Sequence, residues 1–265
     1  MKTLTTTVNA RRDIQEALIR SIKLPVIIAV LSISLCSCSH YYYVANTKNV
    51  PMLREKNEAR VTLSFGEGNE SSSIDFQGAY AISDKIGILA NFMTANGGTE
   101  SGQSQNWAKG TCFEGAGGYF KPINTFGIFE VYGGLGTSSQ HHQYSTGTAD
   151  LRFTKVFVQP SFGFTAKWAE AAFSLPVSRV SFNEINDYTH SVDETGLERL
   201  ALNHTSYIVE PAFTIRGGWK YLKLQFQYVH VLNLTNQNLP FERDKVSLGL
   251  YISVARRYGK DFQPK

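Results

Sequence analysis

The sequence predicts an all-β chain folded as a closed antiparallel transmembrane β-barrel of about ten strands, an up-and-down meander. Three observations carry that expectation. Apolar residues recur with a period of two from Val61 almost to the end of the chain, and tight connections alternate with long polar ones. The composition is rich in Phe (17), Tyr (13) and Gly (22), while only 18% of residues are charged, below the usual ~25%. The mean hydropathy of -0.19 excludes a bundle of membrane helices. A net charge of +4 is modest and its basic residues are scattered, so nucleic acid is not an expected partner.

The chain opens with a targeting segment, residues 1–37. Arg11, Arg12, Arg20 and Lys23 precede an apolar run from Leu24 to Leu35. That run is too short to span a bilayer, which takes about 20 apolar residues, and has the length of a signal-peptide core. It ends in Leu35-Cys36-Ser37-Cys38, which resembles the bacterial lipobox: an aliphatic residue three places before a cysteine and a small residue just before it. Cys38 would then be acylated and become the first mature residue. Cleavage removes Cys36, the lipid takes Cys38, and Cys112 alone remains, so an intramolecular disulfide is not expected. Residues 38–57, with Tyr41-Tyr42-Tyr43, several Asn and Pro51, read as a lipidated tether. Its tyrosines suit a membrane interface or packing.

The barrel is expected over residues 58–258, followed by a tail, 259–265. Val61, Leu63 and Phe65 alternate with polar neighbours, then Ile74, Phe76, Tyr80 and Ile82 do the same. A less regular strand covers Lys85–Met93, and a glycine-interrupted one Thr111–Phe120. Further strands follow around Phe129–Leu135, Val156–Phe164, Ala169–Val177, Tyr207–Ile215, Leu222–Tyr228 and Val246–Val254. Connections after the second, fourth, sixth and eighth are tight: Ser83-Asp84-Lys85, Lys121–Asn124, Ala166-Lys167 and Gly217-Gly218. Those between are longer, over Gly66–Ser72, Asn96–Gly110, Ser139–Asp150, Asn183–His204 and Asn233–Arg243. Short turns at one end and long loops at the other match an outer-membrane barrel, with the turns periplasmic. No helix is expected in the mature chain, and the tether is expected to begin on the periplasmic side.

The last strand, Ser247–Val254, resembles the carboxy-terminal signal read by the outer-membrane insertion machinery. With the lipobox, the Tyr-rich segment leading to Asn49-Val50-Pro51 and the alternating strands, the chain resembles a family of small barrel lipoproteins of Bacteroidetes. That resemblance implies an outer-membrane location in a Gram-negative envelope and lends no activity. Ser39-His40-Tyr41 lack the acidic run that such bacteria use for surface export, which implies an anchor in the periplasmic leaflet.

If strands alternate lipid-out and lumen-in, the lumen receives Glu130, Glu170, Glu210, Arg216 and Lys223, with Glu114 and Arg152 nearby. Buried charges must be paired or hydrated, so a lumenal salt-bridge network of structural purpose is expected. A ten-strand barrel is narrow enough for side chains nearly to fill it. Catalytic chemistry finds little support. Asp187, His190, Asp193 and Glu194 share one long loop without a spacing that fixes a pair, and His190-Ser191 point opposite ways if extended. His141-His142 cannot easily chelate one metal from one strand, so neither metal nor cofactor is expected. The leading expectation is a non-enzymatic envelope protein whose partners are outer-membrane lipid, the insertion machinery and an unidentified extracellular ligand. Trp107, Tyr144 and the Asn183–His204 loop are its expected contact surfaces. A narrow solute channel is the alternative, and an envelope hydrolase a more remote one.

Overall fold

The computed structural model describes residues 41–101, 104–189 and 196–258. The targeting segment, Cys38, His190, Asp193, Glu194 and the tail 259–265 lie outside the described residues. The strands are β1 (Ala59–Glu67), β2 (Ser71–Ala81), β3 (Ile86–Ser101), β4 (Ser104–Pro122), β5 (Gly127–Tyr144), β6 (Gly147–Thr165), β7 (Ala169–Ser174) and β8 (Val177–Asp187). After a short helix α1 (Leu197–Leu202) come β9 (Thr205–Val209), β10 (Ala212–Gly218), β11 (Leu222–His230), β12 (Leu232–Asn233) and β13 (Asp244–Val254). All pairings between these strands are antiparallel. β1 pairs with β2 on one side and with β13 on the other, from Ala59 opposite Val254 to Glu67 opposite Val246, which closes the cylinder.

Three staves of the barrel are each broken once: between β7 and β8 at Leu175-Pro176, between β9 and β10 at Glu210-Pro211, and between β11 and β12 at Val231. Counting each broken stave as one gives a closed barrel of ten. Proline has no N–H to give to a ladder. The wall is nonetheless bonded across the breaks, because Leu175, Glu210 and His230 donate to the carbonyls of Pro160, Pro176 and Pro211. β6 spans two partners, β7 along Ser161–Thr165 and β8 along Ala149–Val158.

The loop end differs from the sequence expectation in two respects. Asn96–Gly110 and Ser139–Asp150 are not loops: β3 and β4 stay paired to Ser101 opposite Ser104, and β5 and β6 to Tyr144 opposite Gly147. These hairpin tips are polar, yet the strands simply continue. The unexpected helix α1 buries Leu197 and Leu200, three residues apart, and is too short to leave a readable period.

Side chains alternate across the wall with the pleat. The outward set is apolar over the full circumference, with Leu63 42%, Leu224 69% and Leu248 63% exposed. Near the tight turns stand exposed Phe126, Trp168, Trp219 and Tyr221. Soluble monomers rarely expose contiguous apolar patches beyond a few hundred Å². An apolar band flanked by aromatic residues is the outer surface of a transmembrane barrel.

The inward set is polar around the middle and does not meet in a self-filled centre. Residues 41–57 occupy the lumen. Tyr42, Tyr43, Thr47, Val50, Met52 and Leu53 are each at most 2% exposed. The tether reading is therefore corrected: this segment is an internal plug, and its tyrosines pack inside the protein.

The apolar wall yields a direct check. Leu250 lies mid-strand on the outer face, opposite Leu63 and Leu224. Leu250→Arg is expected to destabilise the barrel in phospholipid vesicles by about 2–4 kcal/mol, read from urea unfolding, as for a cation near the bilayer midplane. A water-facing wall would give a cost near zero.

Candidate functional site

The plug crosses the lumen from the loop end to the turn end. At the loop end Tyr42 N–H donates to Pro240 C=O (2.9 Å), and Tyr43 C=O accepts Glu242 N–H (3.0 Å). At the turn end Asn57 N–H donates to Ala81 C=O (2.9 Å). The Arg54 guanidinium reaches the β4–β5 turn there, donating to Asn124 C=O (2.5 Å) and Phe126 C=O (3.2 Å), and to Thr165 Oγ1 (2.8 Å). The chain then turns at Asn57, whose φ of 62° suits an Asn, and enters β1.

Between those ends the plug is extended and has no strand beside it, so its peptide groups need other partners. Wall side chains provide one at every residue from Thr47 to Arg54. Asp75 accepts Thr47 N–H (2.8 Å), and Gln77 Nε2 donates to Thr47 C=O (2.5 Å). Gln227 takes Lys48 N–H on Oε1 (2.6 Å) and gives Nε2–H to Lys48 C=O (2.9 Å), as a neighbouring strand would. Gln159 donates to Asn49 C=O (2.7 Å), Arg216 to Val50 C=O (2.8 Å) and Tyr251 to Pro51 C=O (2.9 Å). Glu130 accepts Met52 N–H (3.0 Å) and Leu53 N–H (2.9 Å), one on each oxygen, and Glu58 accepts Arg54 N–H (2.8 Å). Met52 has φ 54°, a left-handed conformation that turns these two successive N–H groups toward one carboxylate.

Charges are grouped in paired sets around this line, the first balanced and the second richer in cations. In the first, Glu210 bonds Lys48 of the plug (2.8 Å) and Lys155 of β6 (3.0 Å), while Lys155 also reaches Glu114 (3.1 Å). Tyr43 Oη donates to Glu210 (2.8 Å), and Asn46 Nδ2 to Glu114 (2.6 Å). In the second, Glu170 pairs with Lys223 (2.5 Å) and Arg216 (3.2 Å), and Arg216 lies 3.9 Å from the Tyr251 ring centre. Below it Glu58 holds Arg60 and takes two bonds from Arg257 (2.7 Å each). A third pair, Lys245 and Asp75 (3.0 Å), also binds the plug, since Lys245 donates to Ala45 C=O (2.9 Å).

Glu130, Glu170, Glu210, Arg216 and Lys223 are thus all buried in the lumen, each at most 4% exposed, and Glu114 joins them. They form two clusters plus the separate Glu130 bracket, not one network. Arg152 does not belong to it. It faces outward on β6, in register with exposed Val156, and pairs with Glu184 of β8 (3.0 Å). The sequence reading also missed Asp75, Gln159, Gln227, Lys155, Lys245 and Tyr251 as functional positions. The available signal was an inward face unusually rich in long amide side chains.

Space for the plug is cut into the wall. A Cβ at Gly163 would stand 2.5 Å from Met52 Sδ, and one at Gly87 would stand 2.8 Å from Leu53 Cδ1. Toward the loop end the lumen turns apolar: Tyr42 and Tyr43 pack with Phe153, Phe182, Leu197 and Phe241. His142 is fully buried there beside Tyr42 and Tyr144. Tyr144 is therefore a buried residue of this cap, where a loop contact was expected. His141 faces the other way, exposed, with Asp150 at 2.7 Å. Among the described residues no group of His, Cys, Asp and Glu is placed to hold a metal ion. Glu242, in the loop before β13, accepts from Ser71 Oγ (2.5 Å), and burial pushes its carboxyl pKa upward. The bond from Ser71 itself favours the ionised carboxylate, so it is burial, and not this contact, that makes the folded loop end more stable at acid pH, an increment lost as pH rises through the raised value.

Removing Glu210 tests how tightly plug and wall are coupled. Glu210→Ala leaves two buried ammonium groups and is expected to cost about 3–5 kcal/mol in urea unfolding from vesicles. Adding Lys48→Met should recover part of that loss. Strict additivity of the two substitutions would show that the plug and wall charges are independent.

No protein-family model matches the sequence, and no curated protein is significantly similar to it. Among solved structures, the chain is similar to an outer membrane channel from Pseudomonas putida F1, at 10% identity and a TM-score of 0.39, covering 79% of this chain and 100% of that one. It is also similar to OmpT, an outer membrane protein of Vibrio cholerae. The in-vitro folded trimer form gives 5% identity, a TM-score of 0.25, and 74% and 98% of the two chains. A second in-vitro folded structure gives 6%, 0.25, and 77% and 100%. These likenesses are distant, and the fold of this chain rests on its own strand pairing.

Proposed function

We propose that this protein is a non-enzymatic, lipid-anchored outer-membrane barrel of a Gram-negative envelope, sealed by its own amino-terminal segment and offering its loop end as a structural or partner-binding surface. The observation that carries the reading is the plug: every residue from Thr47 to Arg54 is bonded through its backbone to a wall side chain. Polar side chains that would line a solute path are engaged instead in holding this peptide. The apolar exterior and the aromatic residues near the tight turns support the membrane location. Acylation of Cys38 rests on the lipobox-like Leu35-Cys36-Ser37-Cys38, and outer-membrane lipid and the barrel insertion machinery are the partners this reading implies.

His141 and Asp150 form an exposed cross-strand pair, and Asp187 accepts from the backbone of Thr189 (2.8 Å). A surface suited to a partner lies on the β4–β5 hairpin, where Trp107 is 5.5 Å from the His141 ring and 4.8 Å from the Lys109 ammonium.

Planar-bilayer recording tests the sealed-barrel reading. The wild-type protein is expected to be silent. The triple variant Gln77→Ala, Gln159→Ala, Gln227→Ala, which frees the carbonyls of Thr47, Lys48 and Asn49 and the Lys48 N–H, is expected to show intermittent openings. Steady unitary conductance from the wild type would replace this reading with that of a narrow channel.

A further inference from the structure

We infer that the amino-terminal end of the mature chain lies on the outer side of the membrane, with the acyl group of Cys38 in the outer leaflet. This rests on the reading above that the barrel sits in an outer membrane and that Cys38 is acylated. The new element is direction. The plug is nailed to the loop end at Tyr42 and Tyr43 and to the turn end at Arg54 and Asn57, so the chain runs through the lumen from loops to turns before β1 begins. In outer-membrane barrels the tight turns are periplasmic and the long loops extracellular.

Reach then decides which leaflet a lipid on Cys38 can enter. Cys38 lies three residue steps before Tyr41, which span at most about 11 Å fully extended. The apolar band of a barrel is about 25 Å tall, so a cysteine this close to the loop mouth cannot reach the periplasmic leaflet. The way back through the lumen is occupied by the plug itself.

A route to the outer leaflet is present beside Tyr41. A groove of about 470 Å³, lined by Tyr41, Asn69, His230, Leu232, Gln237 and Arg243, separates the β1–β2 turn from the loop before β13. The β1–β2 turn is short, only Gly68–Glu70 between the strand ends, so the rim is low there. Leu232 and Leu234 are 44% and 61% exposed at this side of the barrel, and Arg243 is exposed beside the groove. Tyr41, the first described residue, lines this groove, so the chain that precedes it starts from here. An apolar rim and a cation at headgroup depth suit an acyl chain entering the outer leaflet among anionic headgroups. This replaces the expectation of a periplasmic-leaflet anchor drawn from Ser39-His40-Tyr41.

Thiol labelling of intact cells tests the direction. Cys112 is buried in the lumen, and cleavage with acylation of Cys38 leaves no other thiol, so wild-type protein run in parallel gives the background, and its labelling would itself report an unacylated Cys38. His40→Cys, Asn69→Cys (loop end) and Lys85→Cys (turn end) are treated with a membrane-impermeant maleimide before and after permeabilisation, alongside palmitate incorporation and heat-modifiable gel mobility. The expected result is equal labelling of residues 40 and 69 in intact and permeabilised cells, labelling of residue 85 only after permeabilisation, and palmitate on all three. Labelling of 69 but not 40 in intact cells overturns the inference while the barrel reading stands. Labelling of 85 but not 69 overturns the barrel's sidedness and the inference with it. Residue 40 at the surface without palmitate overturns the anchor. Should His40→Cys fail to give the folded, heat-shifted band, Ser39→Cys takes its place with the same outcomes.

Discussion

A peptide buried in extended form with no strand alongside it leaves its N–H and C=O groups unpaired, and this single constraint organises the interior. Each orphaned group would cost on the order of 1–3 kcal/mol. The wall answers with side chains long enough to reach the axis and carrying the right polarity. Glutamine has both a donor and an acceptor, and Gln227 uses them together on Lys48. Glu130 offers two acceptors to two successive N–H groups. The ionic clusters follow from the same logic: Lys48 brings a charge into the lumen with the plug, and Glu210, Lys155 and Glu114 surround it so that no charge is left alone.

Volume is the second constraint. The inward side chains of a ten-strand barrel can nearly fill it. Here small wall residues yield room where the plug is bulky, as Gly163 does for Met52 and Gly87 for Leu53. Where the plug carries tyrosines, the wall and α1 become apolar and close over them. Polar bonding at the middle and apolar packing at the loop end therefore serve one object. The plug is held by the wall, and it fills the lumen together with buried wall side chains such as Phe120, Tyr132 and Tyr251.

Much of the barrel was legible because a period of two specifies strand and face together. Val61, Leu63 and Phe65 point outward for the same reason that Thr62 and Ser64 point inward. The same rule, applied strictly, places Arg152 with Val156 and Val158 on the outside, which is where it lies. The plug was not legible. Residues 41–57 have no period, contain Asn and Pro, and end in a charged run, the usual marks of a linker. Local composition reads as a solvated tether because the partners that bury it are scattered from Asp75 to Tyr251. Likewise, polarity alone suggested loops at Asn96–Gly110 and Ser139–Asp150, although the strands continue through both and His142 and Tyr144 of the second are buried on its inner face.

The closure of the barrel and the seating of the plug meet at one place. β1 follows the plug directly, and it is β1 that pairs with β13 to shut the cylinder. Glu58, at the junction, binds Arg54 N–H of the plug, Arg60 of β1 and Arg257 just beyond β13. One carboxylate therefore ties together the last segment of the plug, the first strand and the end of the last. A plug gripped by partners on strands all around the wall cannot be seated while those strands are unpaired, nor can it slide past Gly87 and Gly163 once Leu53 and Met52 fill the space there. Seating and closure are then mutually dependent, and the most distant parts of the sequence, residue 54 and residue 257, complete the fold at the same carboxylate.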